Sequence, residues 1–279
     1  MFNKPGLEFP FPEIYMHQHE MLQMQKLAME NSNINMKDSF MEAIRQSRDI
    51  ILVKDFEVKY MDYLSELVSK KIVPIGSLVH DSIEQNDEHD VGIMQWLDKK
   101  EKGSSEEIHE AAQGLELSQV NFIWVIRFPQ DEKINIHDVL PQGILERVGE
   151  RGMVLEKWAP QATILQHTSI GGFVSHCGWG SLTKSMKFGV PIIAMPMYHD
   201  QPINARIVEH IGMEVEVLRD ENGKLQSEEI AKVTREVVIE ESGEVVRKKA
   251  RELSEKMNME GDEEIDGVVV ELVALCNNK

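Results

Sequence analysis

From residue 106 onward the chain keeps one rhythm: short apolar runs alternate with longer stretches whose apolar residues recur every three or four positions. That alternation marks βαβ units and commits this part of the chain to a parallel sheet flanked by helices. The runs are Phe122 to Ile126, Val154 to Trp158, Gly172 to Ser175, Ile192 to Met195 and Val215 to Leu218. Pro160 stands in a first-turn position before ATILQH, and Ser227 precedes EEIAKVTREVV with acids in its first turn, so both segments read as helices. Arg219 to Lys224 carries Asn-Gly and reads as a turn.

The part before it is less regular. Pro10 to Lys70 is mostly of helical period, interrupted by a β-type run at Asp49 to Val53 and followed by another at Lys71 to Ile75. Between His80 and Ser105 apolar residues thin out and acids cluster at Asp81, Glu84, Asp87, Glu88 and Asp90. The expected division is a partial N-terminal domain over 1–80, a linker over 81–105, a C-terminal domain over 106–260, and a closing helix over 261–279 that packs back on the N-terminal part.

Charge and cysteine usage narrow the chemistry. A net charge of −18 over 279 residues argues against nucleic acid or an anionic membrane as partner, so any phosphate site has to be local. Cys177 and Cys276 lie far apart with no CxxC or Cys/His spacing, which suggests neither a disulfide framework nor a metal site. No apolar run approaches bilayer length, and the expected location is cytoplasmic.

The chemistry concentrates between Gly171 and Gly189. There an apolar strand runs into Cys177-Gly178-Trp179-Gly180-Ser181 and then into a helix-period segment. A strand, a glycine-rich turn and a helix N-terminus together suit an anion: Gly178 and Gly180 let backbone approach a ligand, Ser181 adds a hydroxyl and His176 a ring N–H. A plain βα turn with glycines for steric reasons would read the same way. Trp158, His176 and the segment Met197 to Gln201 all fall at carboxyl ends of strands, where ligands sit in open parallel sheets. Trp158 offers a flat face for a base, and Asp200 with Gln201 suits sugar hydroxyls.

The stretch WAPQATILQHTSIGGFVSHCGWGSLTKSMKFGVPIIAMPMYHDQ, from Trp158 to Gln201, resembles the signature box of plant secondary-product UDP-glycosyltransferases of the GT-B fold. Similarity continues through FPFPEIY, KKIVPIGSLV, WLDKKEK, GLELSQVNFIWVIRFP and ERVGERG upstream, and NARIVE and RDENGKLQ downstream, nearest the branch that adds sugars to small-molecule glycosides. The resemblance implies an α/β fold of GT-B type, with a C-terminal doubly wound, Rossmann-like donor domain and an incomplete N-terminal acceptor domain. It implies that Trp158 stacks on uracil, the Ala159 backbone bonds its edge, Gln161 reaches the ribose, His176, Gly180 and Ser181 hold the diphosphate, and Trp179, Asp200 and Gln201 meet the sugar, with Gly178 and Lys184 counted among the UDP-sugar-binding residues. The closing Gln points to UDP-glucose as donor, with no cofactor and no metal.

Three departures shape the expectation. Lys184 stands where the family's pattern has Glu, and lysine offers no acceptor for ribose hydroxyls; a lost charge-assisted bond costs about 1.5 to 3 kcal/mol unless the ammonium finds a phosphate. A solvated Lys on a helix flank is the plain alternative. The family's catalytic His and its orienting Asp have no counterpart here, and no catalytic residue is identified in this chain. At Ser104-Ser105-Glu106 relatives have an apolar strand where this sequence passes into a helical pattern, so the sheet is expected to lack an interior strand. The histidines offer no ready substitute: His17 and His19 in MHQHE read as solvated, as do His80, His109 and His210, while His199 adjoins the sugar pair.

The implied activity is inverting, metal-independent transfer of a hexose to a small-molecule glycoside, with a second polypeptide supplying the His. The alternative is a nucleotide-sugar-binding or regulatory partner protein without turnover. A nicotinamide-dependent oxidoreductase fits poorly, because no G-x-G-x-x-G follows a strand.

Overall fold

The computed structural model describes residues 11–23, 50–53, 58–74, 103–126, 136–156 and 159–277. Among the described residues seven strands fall in three parallel ladders. β1 (Ile50–Val53) pairs with β2 (Lys71–Pro74) around α1 (Val58–Val68). Next, α2 (Gly103–Ser118) leads into β3 (Phe122–Val125), and α3 (Ile136–Val139) and α4 (Ile144–Val148) lead to β4 (Gly152–Leu155), which pairs with β3. After α5 (Gln161–Leu165) come β5 (Phe173–Ser175), α6 (Trp179–Phe188), β6 (Ile192–Ala194), α7 (Gln201–Ile211) and β7 (Glu214–Glu216), with ladder order β5-β6-β7. Helices α8 (Ser227–Val238) and α9 (Glu244–Asn277) close the chain.

The three-stranded ladder has helices packed on both faces, as parallel sheets usually do. Side chains alternate across β6: Ile192 and Ala194 join Leu182 and Met186 of α6 and Ala205 and Val208 of α7, whereas Ile193 packs with Ile230, Val233 and Val237 of α8. Gly189 and Gly212 end α6 and α7 in the left-handed region, at φ 68° and 84°, where an L side chain would be strained. The β3–β4 ladder is covered on one face by α2, α3 and α4, through Ala112, Ile136, Leu140 and Ile144. On its other face Ile123 and Met153 stay 44% and 57% exposed.

Several expected boundaries move. The strand expected over Val154 to Trp158 runs from Gly152 to Leu155, and the one over Val215 to Leu218 from Glu214 to Glu216, with Leu218 exposed. Ser227 is the first residue of α8 rather than its cap, its N–H donating to Glu110. Of the expected linker, 81–102 lie outside the described residues and 103–105 already belong to α2. The helix expected over 261–279 is the continuation of α9, which starts at Glu244 and touches β2. The Arg219–Lys224 turn is present: Asp220 accepts from the N–H groups of Asn222 and Lys224, at 2.9 and 2.8 Å.

The segment 11–23 lies across α7 and β7. Arg206 of α7 is fully buried; it pairs with Glu216, sits 3.7 Å from Glu20, and has the Tyr15 ring 4.8 Å from its guanidinium carbon. Burial alone would lower the Arg206 pKa, but the hydrogen bond and charge of Glu216 outweigh it, with Tyr15 and Glu20 adding to the upward shift. His17 lies 3.8 Å from Glu216, and the His19 ring packs over Gly223. The expectation that this His pair is simply solvated is corrected: both rings are half-buried because the strap docks on a buried charge. His109 and His210 are exposed as expected, and His80 lies outside the described residues.

Candidate functional site

Three strands end toward three helix starts: β4 toward α5, β5 toward α6 and β6 toward α7. The expected site residues are distributed over these starts. Trp158 lies outside the described residues. Ala159 is buried, and Gln161 opens α5 behind Pro160.

The first two helix starts are tied together. The Gln161 side-chain N–H donates to Ser181 Oγ at 3.3 Å, and Lys184 Nζ donates to Gln161 Oε1 at 3.5 Å. Lys184 therefore does meet the group next to it in the expected site, through an acceptor it finds on Gln161. Both ends of the Gln161 amide are engaged by α6.

The β5–α6 turn is built on close approach. Cys177 takes φ 65°, unusual for a side chain with a Cβ, and its N–H donates to Ser175 Oγ at 3.1 Å. Its buried thiol is pushed up in pKa by desolvation and is an unreactive core group. A Cβ at Gly178 would lie 2.7 Å from His176 Nε2, so the glycine is what lets the imidazole lie over the turn. A Cβ at Gly180 would meet nothing within 4 Å, which leaves open space above the first turn of α6. Ser181 and Leu182 return their N–H groups to Gly178 O, while Gly180 N–H has no partner among the described residues. Trp179 leans inward on the Leu182–Met186 core. Desolvation lowers the His176 pKa, and the charge of the nearby Asp200 carboxylate acts in the opposite direction.

The third helix start joins the second through Asn204, a residue the sequence reading missed. Its side-chain NH2 donates to Cys177 O at 3.1 Å and to Asp200 Oδ2 at 2.8 Å. Asp200 and Asn204 are one helical turn apart, the spacing at which such side chains meet. Gln201 is also anchored: its Oε1 accepts from the N–H groups of Met197 and Tyr198 at 3.0 and 2.9 Å, leaving its NH2 without a hydrogen bond among the described residues. His199 is exposed beside the pair with φ 59°, the second such residue at a strand end here. Among the described residues there is no group of three or more His, Cys, Asp or Glu placed to hold a metal ion, and no helix long and apolar enough to cross a membrane.

A parallel sheet wound with helices, a glycine turn at a helix N-terminus and polar groups gathered past the strand ends define an α/β domain of the ligand-binding, doubly wound kind. The chain belongs to the family of UDP-glucoronosyl and UDP-glucosyl transferases, whose model matches residues 13–255. It is 47% identical to UDP-glucosyltransferase 29 of Panax ginseng over all of this chain and 65% of that protein. It is 46% identical to cyanidin-3-O-glucoside 2-O-glucuronosyltransferase of Bellis perennis over 96% of this chain and 61% of that one. Phytolacca americana UGT2, solved with UDP-2fluoro-glucose and pterostilbene, superposes with a TM-score of 0.68 at 29% identity, covering 81% of this chain and 54% of that structure. The chain thus spans less than two thirds of these curated relatives. The ginseng alignment runs over 305 positions against 279 residues here, so the relative carries at least 26 residues with no counterpart in this chain.

Proposed function

We propose that this chain forms the donor side of a UDP-sugar-dependent glycosyltransferase that moves a hexose, most simply glucose, to a hydroxyl of a small-molecule glycoside. One observation carries the reading: two side-chain bridges, Gln161 to Ser181 and Asn204 between Cys177 and Asp200, join the three helix starts into one polar surface. On it the resemblance puts ribose at Gln161, diphosphate at His176, Gly180 and Ser181, and sugar at Trp179, Asp200 and Gln201; it assigns uracil to Trp158, which lies outside the described residues. The name of the daisy relative, which glucuronosylates a glucoside, supports the acceptor class.

The chemistry is an inverting displacement. An acceptor oxygen bonds to the anomeric carbon as the bond from that carbon to the diphosphate oxygen breaks, and the acceptor proton passes to a base. His176, the Ser181 hydroxyl and the free N–H of Gly180 stabilise charge gathering on the departing UDP, a preorganised electrostatic contribution. The base is a His supplied by another polypeptide segment, so donor binding and turnover are separable here.

Calorimetry with UDP-glucose tests the first half, and sugar transfer measured with and without the N-terminal segment of the ginseng relative tests the second. Failure to bind UDP-glucose would sink the donor-site reading, and turnover by the chain alone would remove the need for a second segment. A second reading, a protein that binds nucleotide sugar without turnover, draws on Lys184, which engages the Gln161 oxygen. It predicts binding with no transfer under any combination.

A further inference from the structure

We infer that the sheet contains a slot between β3 and β5 for one more strand, and that the slot takes an extended segment of a partner polypeptide. Each of the two strands is paired on one side only. In β3 the even residues face β4, since Ile126 N–H donates to Leu155 O at 2.9 Å in the register that pairs Trp124 with Val154. The backbone groups of Ile123 and Val125 therefore point to the other edge. In β5 the odd residues face β6: Phe173 N–H donates to Pro191 O, and Ser175 O accepts from Met195 N–H. The groups of Val174 point away. Nothing among the described residues bonds the backbone of Ile123, Val125 or Val174 on these open edges.

Both edges lie under one helical roof. Ala112 of α2 belongs to the core beneath β3 and β4, and its neighbour Ala111 packs against the α8 core of the other ladder. Gly114 lets α2 press on α8, since a Cβ there would come 2.6 Å from Ile230. Arg219 to Glu107, Lys224 to Glu106 and Arg235 to the Leu117 carbonyl fasten the same helix to the far ladder. Val174 shares a face with Ile193, which is 1% exposed against α8, yet Val174 is 40% exposed. Among the described residues nothing pairs with β5 on the flank where Val174 stays open.

Two unpaired edges under a shared roof select an extended backbone as occupant, because only a strand satisfies both rows of N–H and C=O groups at once. It is a run of about four to six residues, apolar on both faces, running with its neighbours as in other parallel sheets. Its carboxyl end emerges beside His176, at the strand ends that carry the candidate site. The ginseng relative has at least 26 residues without a counterpart here, enough for a strand and its connections, and a peptide drawn from them is a fitting probe of the slot. The inference stands on backbone geometry and does not rest on the donor-site reading.

The test uses the full chain and a synthetic peptide copying the longest run of ginseng residues that lack a counterpart. Amide exchange is followed by NMR, with UDP binding measured in separate samples so that the two readings fail independently. The expected result is saturable binding in which the amides of Ile123, Val125 and Val174 slow together by at least tenfold, with no response to a scrambled peptide. Ile123→Pro removes an N–H that lies outside the ladder; it should leave the melting temperature within a few degrees and abolish peptide protection. Peptide protection persisting unchanged in that variant overturns the inference. Protection that is absent, confined to one edge or equal with the scrambled peptide overturns it too, as does concentration-dependent protection by a second copy alone.

Discussion

The ladder β5-β6-β7 and the ladder β3-β4 are built from similar apolar runs, yet helices finish both faces of the first and only one face of the second. The first has helices on both faces and buries Ile192, Ile193 and Ala194 almost completely. The second has a core on one face and leaves Ile123 and Met153 open on the other. The difference teaches that a strand's own sequence decides that it is a strand, while its burial depends on neighbours supplied from elsewhere. The finished half carries two of the three helix starts that gather the polar groups, and the third follows β4.

The sharpest way to break this contrast is to cut apolar side chains from both halves. Leu182→Ala, in the finished half, should cost about 2 to 5 kcal/mol in urea unfolding, whereas Ile123→Ser or Met153→Ser should change it by less than about 0.5 kcal/mol. Equal losses would show that the open face is covered in solution.

Next in size are effects on ligand binding within the finished half. Ser181→Ala should weaken UDP roughly tenfold to a hundredfold in calorimetry, the worth of a hydrogen bond to a charged group, with little change in melting. Gly180→Ala should also fold normally, because its Cβ enters empty space, and should weaken UDP if that space belongs to phosphate.

Buried charge gives the third test. Glu214 at the start of β7 is buried with neither carboxylate oxygen bonded, and desolvation first, then the Glu216 charge, holds its pKa well above the usual range. The unfolded chain loses this proton near the ordinary value, so stability falls as pH rises from about 4.5 toward the folded-state pKa. Glu214→Gln should remove that decline, gaining about 1 to 3 kcal/mol at neutral pH and nothing at pH 4. A parallel pair of stability curves for the two proteins would contradict it.

The smallest effect concerns His176, whose pKa lies below the ordinary imidazole value. Unliganded, the fold holds full stability above about pH 6.5 and loses a little as pH falls through that value, because the unfolded chain takes up the proton first. A bound diphosphate reverses the preference, so UDP affinity should rise on acidification by a few-fold more in the natural protein than in His176→Gln. Identical pH profiles would remove His176 from the phosphate contacts.

Much of this architecture was legible because it is local. Phe122 to Val125, Phe173 to Ser175 and Ile192 to Ala194 announce themselves as apolar runs, and Gly178 and Gly189 bracket α6. The ends of β4 and β7 were misread for a physical reason: Gly152 and Glu214 do not look like strand residues, and Glu216 is tolerable in a strand only because Arg206 pairs with it from another element. Arg206 in turn reads as an ordinary surface residue of NARIVE until the strap brings Tyr15 and Glu20 onto it. In the candidate site the residue types were readable, but the Asn204 bridge was not, since nothing in Asp200-Gln201-Pro202-Ile203-Asn204 says that the amide also reaches Cys177.

Gln201 has a consequence of its own. Two backbone N–H groups lock its carboxamide oxygen, so the side chain is ordered before any sugar arrives, and the rotamer freedom, about 1 to 2 kcal/mol for a glutamine, is lost on folding rather than at capture. What remains on offer is only a pair of donors. A sugar reaching this corner has to present lone pairs to it, and an incoming group that could only donate would find no welcome there.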